Sequence, residues 1–112
     1  MKTAQDVAKA AKSMITEVLP GALQPLEEYF TIDVREPSEY ATGAIPGAVN
    51  IPRGLLEFEI EKITESNRGL PILLYCRSGS RSALSALALE DMGYTKVVSL
   101  AGGYTAWSEA NG

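Results

Sequence analysis

Histidine is absent from the chain. Its absence removes Ser-His-Asp and Cys-His catalysis and every His-ligated metal site. Cysteine is almost absent, with Cys76 the single example. One thiol makes no internal disulfide, no Cys-x-x-Cys redox pair, no resolving-cysteine peroxidase and no cysteine-built zinc site. Any sulfur chemistry falls to Cys76 alone. Basic charge is short as well: ten Lys and Arg face fourteen Asp and Glu, for a formal net charge of −4. That balance argues against nucleic acid as a partner, which calls for a basic face. Long apolar runs are missing too. Lys9 and Lys12 interrupt the first 19 residues before a signal-peptide core could form. With no export signal and one unpaired thiol, the expected compartment is the cytoplasm, with no membrane as partner.

What is present suits one domain. The 112 residues are 46% hydrophobic and 21% charged, and a chain of this length buries roughly two thirds of its unfolded surface. Val7, Ala10, Ala11, Met14, Ile15 and Val18 recur at three- and four-residue steps, which predicts an amphipathic helix over residues 1–19 laid on the domain formed by 20–112. Pro20, Gly21 and Pro25 punctuate its end. Strands are expected at 29–34, 48–51, 71–75 and 96–100, where β-branched, aromatic and continuous apolar residues collect. Helical segments are expected at 37–42, 55–63, 82–92 and 104–109, with Gly93 closing the third of these. Strands alternating with helices imply an α/β fold, a parallel sheet sandwiched between helix layers.

In such folds ligands gather beyond the carboxyl ends of the strands. There the strand ending at Tyr75 runs into Cys76-Arg-Ser-Gly-Ser-Arg81, and a helix follows at once. This is a strand–loop–helix anion cradle. Gly79 lets the backbone curl so that successive N–H groups point inward, and the helix N-terminus adds its partial positive charge and unpaired N–H groups. Arg77 and Arg81 bring guanidiniums able to grip a tetrahedral oxyanion. A thiol of pKa about 8.5 in solution falls to roughly 3.5–7.5 in such surroundings, so no histidine base is required. A lone cysteine is ordinarily a small buried hydrophobe, but no core would accept these flanking residues.

At these residues the chain resembles the single-domain rhodaneses, sulfurtransferases that carry sulfur as a cysteine persulfide. Cys76-Arg-Ser-Gly-Ser-Arg81 resembles their active-site loop. Asp33-Val-Arg35-Glu36 with Glu39-Tyr40 is similar to their first signature, and residues 43–52 (GAIPGAVNIP) to their second. Residues 100–107 (LAGGYTAW) are similar to their C-terminal signature. The signatures span 29 to about 110 in the family's order. One residue departs: the family usually has histidine where this chain has Ala44, which bears on local packing rather than on the cysteine loop. The resemblance implies a three-layer α/β/α sandwich with the cysteine at the base of a shallow pocket.

It also implies a double displacement. Cys76 thiolate attacks the outer sulfur of a donor such as thiosulfate, sulfite leaves, and the persulfide rests among the N–H groups of Arg77, Ser78, Gly79, Ser80 and Arg81. A second nucleophile then takes the sulfur: cyanide in the assay, a small thiol or a protein cysteine in the cell. No metal or organic cofactor is called for. Two alternatives come from other classes. Cysteine phosphatases and arsenate reductases of related fold use a loop one residue longer between Cys and Arg, and here Ser82 stands where that arginine would be. Non-catalytic rhodanese-like binding modules typically lack the cysteine. Asp33 and Arg35 read as a bracket between neighbouring loops, with Arg35 adding to the pocket's positive field. Ser78, Ser80 and Ser82 read as loop hydrogen-bonders and a helix N-cap. Tyr104, Trp107, Met14 and Met92 read as core, and Glu57, Glu59, Glu61 and Glu65 as a solvated face.

Overall fold

The computed structural model describes residues 1–111. Five strands form one sheet: β1 (Glu17–Val18), β2 (Phe30–Asp33), β3 (Val49–Asn50), β4 (Ile72–Tyr75) and β5 (Val97–Leu100). Their order is β1-β5-β4-β2-β3, and every pairing is parallel. Five helices accompany them: α1 (Ala4–Met14), α2 (Pro37–Ala41), α3 (Leu56–Thr64), α4 (Ser80–Asp91) and α5 (Gly103–Asn111). Parallel strands need crossovers, and helices on both faces bury a sheet of this kind. The α/β sandwich with a central parallel sheet is the fold expected from the sequence.

The strand β4 sits at the centre, and all four of its residues are buried. Its side chains alternate between two cores, as the period of a strand requires. Ile72, Leu74 and then Cys76 point into a cluster with Ile32, Val34, Leu56, Ile60, Ala86 and Leu89. Leu73 and Tyr75 point the other way, to Ile45, Ala48 and Leu100, where Tyr40, Tyr104 and Trp107 pack from outside. The continuous apolar run of residues 71–75 is thus a strand covered on both faces. It also delivers Cys76 to the α4 side of the sheet.

Three details differ from the sequence reading. The first helix stops at Met14 rather than reaching residue 19, and Glu17–Val18 add a fifth strand on the edge beside β5. The N–H groups of Ser99 and Ala101 donate to Thr16 and Val18 at 2.9 Å and stitch this strand in place. Two residues are too few to show an alternating pattern. The buried stripe of α1 is Ala8 and Ala11, which let the helix lie close on α4, whereas Val7 and Met14 are exposed. Met14 is therefore not core, while Met92 packs against the first cluster as expected. Finally, α4 begins at Ser80, two residues earlier than expected, and so absorbs the end of the cysteine loop.

No helix among the described residues is long and apolar enough to cross a membrane. The acidic face of α3 is solvated, and two of its carboxylates reach surface arginines, Glu57 with Arg53 at 2.8 Å and Glu61 with Arg68 at 3.2 Å. Truncating the central strand tests the packing: Leu74→Ala should lower unfolding stability by about 2–5 kcal/mol. Phe58→Ala, on an exposed side chain of α3, should change it by less than about 0.5 kcal/mol. Urea unfolding of both variants measures the difference.

Candidate active site

Cys76 follows the last residue of β4 and lies at the floor of the loop that enters α4. Its sulfur accepts the backbone N–H of Gly79 at 3.1 Å and that of Ser82 at 3.4 Å. The side chain of Ser82 stands 3.6 Å away and receives the thiol proton; once the sulfur is ionised, that hydroxyl can donate in return. Ser82 Oγ also lies 2.8 Å from Ser99 Oγ on β5 and donates to the carbonyl of Gly79 at 3.3 Å. Both serines are fully buried. Burial pushes the Cys76 thiol up, but the hydrogen bonds from Ser82, Gly79 and Ser78 outweigh it, and the pKa falls below the ordinary thiol value.

The loop's shape has two backbone causes. Gly79 adopts φ +108°, a conformation L side chains rarely take, and it caps α4. The expected serine cap is thus a glycine, and Ser82 sits inside the helix with its hydroxyl turned to the sulfur. The second cause is α5. Its first N–H groups, from Tyr104 and Thr105, donate to the carbonyls of Cys76 and Arg77 at 2.8 and 3.1 Å. Gly103 makes this approach possible: a Cβ there would stand 2.5 Å from the carbonyl oxygens of Cys76 and Arg77.

The two arginines of the loop are not equivalent. Arg81 is held by Glu39 of α2 in a paired contact, Nη1 to Oε1 at 2.7 Å and Nη2 to Oε2 at 3.0 Å. This geometry drops the Glu39 carboxyl to about 2, mainly through the Arg81 hydrogen bonds. Of the two guanidiniums expected to grip an oxyanion, that of Arg81 already has a carboxylate in its fork. Arg77 is exposed, forms no ion pair among the described residues, and lines an open cleft of about 360 Å³. Arg35, Ser38, Glu39, Thr42, Tyr104 and Thr105 complete its walls. Ser78 is exposed, and Ser80 opens α4.

Asp33 and Arg35 form the bracket that their positions suggested. The carboxylate accepts the Arg35 backbone N–H at 2.9 Å and its guanidinium at 2.7–3.1 Å, and Nη2 continues to the carbonyl of Gly43 at 2.6 Å. The guanidinium lies against the rings of Tyr104 and Tyr75, at 4.6 and 5.6 Å from their centres, and the two rings stack on each other at 6.2 Å. The bracket ties β2 to the segment around Ala44. That segment is held by backbone on either side, at Gly43 O and through the Ile45 N–H donated to Tyr75. Its shape does not depend on the side chain at 44. Asp33 offsets part of the positive charge that Arg35 brings to the cleft wall.

Sequence reasoning assigned no role to Glu39, Ser99 or the cleft-facing side of Tyr104. Ser99 left a faint mark, as a polar residue within an otherwise apolar strand.

Residues 19–110 match the model of the rhodanese-like domain. The chain belongs to this family. A sulfurtransferase of Allochromatium vinosum is 34% identical over 93 residues, covering 83% of this chain and 84% of that protein. The thiosulfate sulfurtransferase GlpE of Pseudoalteromonas translucida is 33% identical over 89 residues, covering 75% and 77%. A solved structure from Rhodopseudomonas palustris, described as a protein of unknown function and possible tyrosine phosphatase, superposes with a TM-score of 0.86 at 29% identity. It covers all of this chain, which spans 93% of it. Sulfurtransferase-named relatives support a rhodanese-type enzyme, with a sulfur donor and a sulfur acceptor as partners.

The hydrogen bonds to Cys76 predict a shift in thiol reactivity. Ser82→Ala removes a donor to the thiolate and should move the alkylation-rate profile of Cys76 with iodoacetamide to higher pH. Near neutral pH the rate should fall several-fold. Ser78→Ala, which leaves the backbone N–H in place, should leave the profile where it is.

Proposed function

We propose that the protein is a sulfurtransferase that carries a sulfane sulfur on Cys76 between a small anionic donor, thiosulfate or a chemical relative, and a thiol acceptor. The observation that carries this reading is the Cys76 sulfur held as hydrogen-bond acceptor to two backbone N–H groups at the mouth of α4. These groups favour the anion as nucleophile, and they suit the terminal sulfur of a persulfide equally. The name of the GlpE relative supports thiosulfate as donor.

In the first half-reaction the Cys76 thiolate attacks the outer sulfur of thiosulfate. A new S–S bond forms, the old one breaks, and its electron pair leaves on sulfite. Arg77, facing the cleft without a carboxylate partner, holds the sulfonate. Arg35 assists through Nη1, which has no hydrogen-bond partner among the described residues. The role of Arg81 is to fix the loop against α2, and its charge stabilises the thiolate at longer range. In the second half-reaction an acceptor thiolate attacks the outer persulfide sulfur, and the electron pair returns to Cys76. A thiol that must remain reduced suits a reducing compartment, so the proposed site of action is the cytoplasm.

A phosphatase is the second reading, favoured by the description of the Rhodopseudomonas structure. It is opposed by four residues, rather than one more, between Cys76 and Arg81.

Intact mass decides between them. After incubation with thiosulfate and desalting, the wild type should gain one sulfur atom, released by cyanide as thiocyanate, and Cys76→Ser should gain none. Hydrolysis of p-nitrophenyl phosphate without any gain of sulfur from thiosulfate, polysulfide or glutathione persulfide would reverse the assignment. Arg77→Ala should raise the KM for thiosulfate roughly tenfold, the size of one charge-assisted contact. An unchanged KM would remove Arg77 from donor recognition.

A further inference from the structure

One fully buried hydroxyl near the loop does not itself touch the sulfur: that of Ser99, on β5. Its backbone is paired on both sides, opposite Leu74 of β4 and opposite Glu17 of β1. The register turns its side chain to the same face of the sheet as Leu74, the face that the Cys76 sulfur shares. The other residues of β5 are Val97, Val98 and Leu100. A polar atom therefore stands on a rigid, otherwise apolar strand, directly behind the cysteine loop.

The hydrogen bonds around it leave one arrangement of protons. Ser99 Oγ has a single hydrogen-bond partner among the described residues, Ser82 Oγ at 2.8 Å. Ser82 Oγ has three neighbours, Ser99 Oγ, the Gly79 carbonyl at 3.3 Å and Cys76 Sγ at 3.6 Å, and only one proton to give. Were Ser82 to donate to Ser99, the Ser99 proton would face no acceptor in a site closed to water, which is unfavourable. Ser99 is therefore the donor of the pair.

That choice decides what the Ser82 proton does. While the thiol is neutral it donates to Ser82 Oγ, and Ser82 donates to the Gly79 carbonyl. That carbonyl already accepts the Ala83 N–H at 3.1 Å, so it loses little when the proton leaves. An ionised sulfur is the stronger acceptor, and ionisation turns the Ser82 hydroxyl to Cys76. A hydroxyl that accepts one hydrogen bond also donates a stronger one. The backbone N–H groups of Gly79 and Ser82 are fixed donors; this one rotates with the charge of the sulfur.

We propose that Ser99 is a positioning residue for Cys76: by donating to Ser82 it commits the Ser82 hydroxyl to the sulfur whenever the sulfur carries negative charge. The charge arises twice. It is present on the attacking thiolate, and it returns when an acceptor takes the outer persulfide sulfur, the bond to Cys76 breaks and its electron pair stays on Cys76. The second role rests on the sulfurtransferase reading, and the first does not. Arg77 and Arg81 on the loop, the Asp33–Arg35 pair after β2, Glu39 on α2, Glu17 on β1 and Lys9 and Lys12 on α1 are the charged groups around the sulfur. Arg53, before α3, is paired with Glu57, and α3 presents Leu56 and Ile60 to this core. β4 and β5 carry no charged residue, and Tyr75 points to the other cluster. None of these groups hydrogen-bonds to either serine hydroxyl among the described residues, so substitution at 99 leaves them in place.

Alkylation of Cys76 by iodoacetamide against pH reads the thiolate whatever the protein's activity. Ser99→Ala should move the profile to higher pH and lower the rate near neutral pH several-fold. Ser99→Thr and Ser99→Val match in shape and differ by the hydroxyl, so they separate hydrogen bonding from packing even if the alanine variant folds poorly. The threonine variant should keep the wild-type profile, and the valine variant should take the shifted one. In a Ser82→Ala background, Ser99→Ala should add nothing. A wild-type profile for Ser99→Ala, equal shifts for threonine and valine, or an undiminished shift without Ser82 overturns the proposal. Sulfur release supplies the second measurement. Persulfide formed with thiosulfate, polysulfide or glutathione persulfide and then desalted should yield thiocyanate with cyanide several-fold more slowly in Ser99→Ala, because a less stabilised thiolate leaves more slowly. An unchanged rate overturns the role in sulfur release. If the wild type takes up sulfur from no donor, the sulfurtransferase reading fails, and the alkylation profiles still decide whether Ser99 acts on Cys76.

Discussion

Everything at the site depends on two backbone N–H groups converging on one sulfur. Gly79 and Ser82 can both reach Cys76 only because the chain reverses within three residues of leaving β4 and enters a helix at once. That reversal needs positive φ at Gly79. It also needs the carbonyls of Cys76 and Arg77 to be occupied elsewhere, and α5 takes both of them. A loop with free carbonyls could turn them toward the sulfur and would repel an anion there. The sheet contributes by fixing where the loop starts: β4 is central and covered on both faces, so its last residue has no room to shift. Local turn chemistry, a distant helix terminus and the core all serve the same two hydrogen bonds.

The distribution of charge follows a comparable economy. Around the loop, Asp33 takes Arg35 and Glu39 takes Arg81, each within 2.7 Å. The Glu39–Arg81 pair joins α2 to α4, and Arg35, held by Asp33, reaches on to the Gly43 carbonyl beside Ala44. They hold the frame and leave the field of Arg77, the thiolate's neighbour in sequence, directed at solvent and substrate. An acidic chain can thereby present a cationic mouth without spreading positive charge over its surface.

Much of this was legible in the sequence, for physical reasons that differ by element. The apolar run of 71–75 announced a strand buried twice over, because five residues that open on a proline and run into a polar loop are too short for a helix and suit a strand covered on both faces. The loop announced itself through the contradiction between a cysteine suited to a core and flanking residues that are not. The edge strand Glu17–Val18 could not be seen, since two residues carry no period and their pairing partner lies some eighty residues away. The buried stripe of α1 was misplaced because alanines, not the larger Val7 and Met14, face α4. Close packing rewards small side chains there, and hydrophobic spacing alone favours large ones. The Glu39–Arg81 pair escaped for a third reason: it spans 42 positions, and a sequence does not say which of several carboxylates a guanidinium will meet.

The hydrogen bonds at Cys76 also tie the chemistry of one atom to the stability of the whole chain. Unfolding frees the thiol to titrate near the solution value of about 8.5, whereas the native pKa lies lower. Between those two values the unfolded state binds a proton that the native state has released, so the fold gains stability as pH rises through this window. The gain is complete above the unfolded value and is lost as pH falls through the native one. Capping the sulfur with a neutral group abolishes the gain and strands two buried N–H donors. The nucleophile is thus also a thermodynamic fastener, one that loosens when acidified or capped.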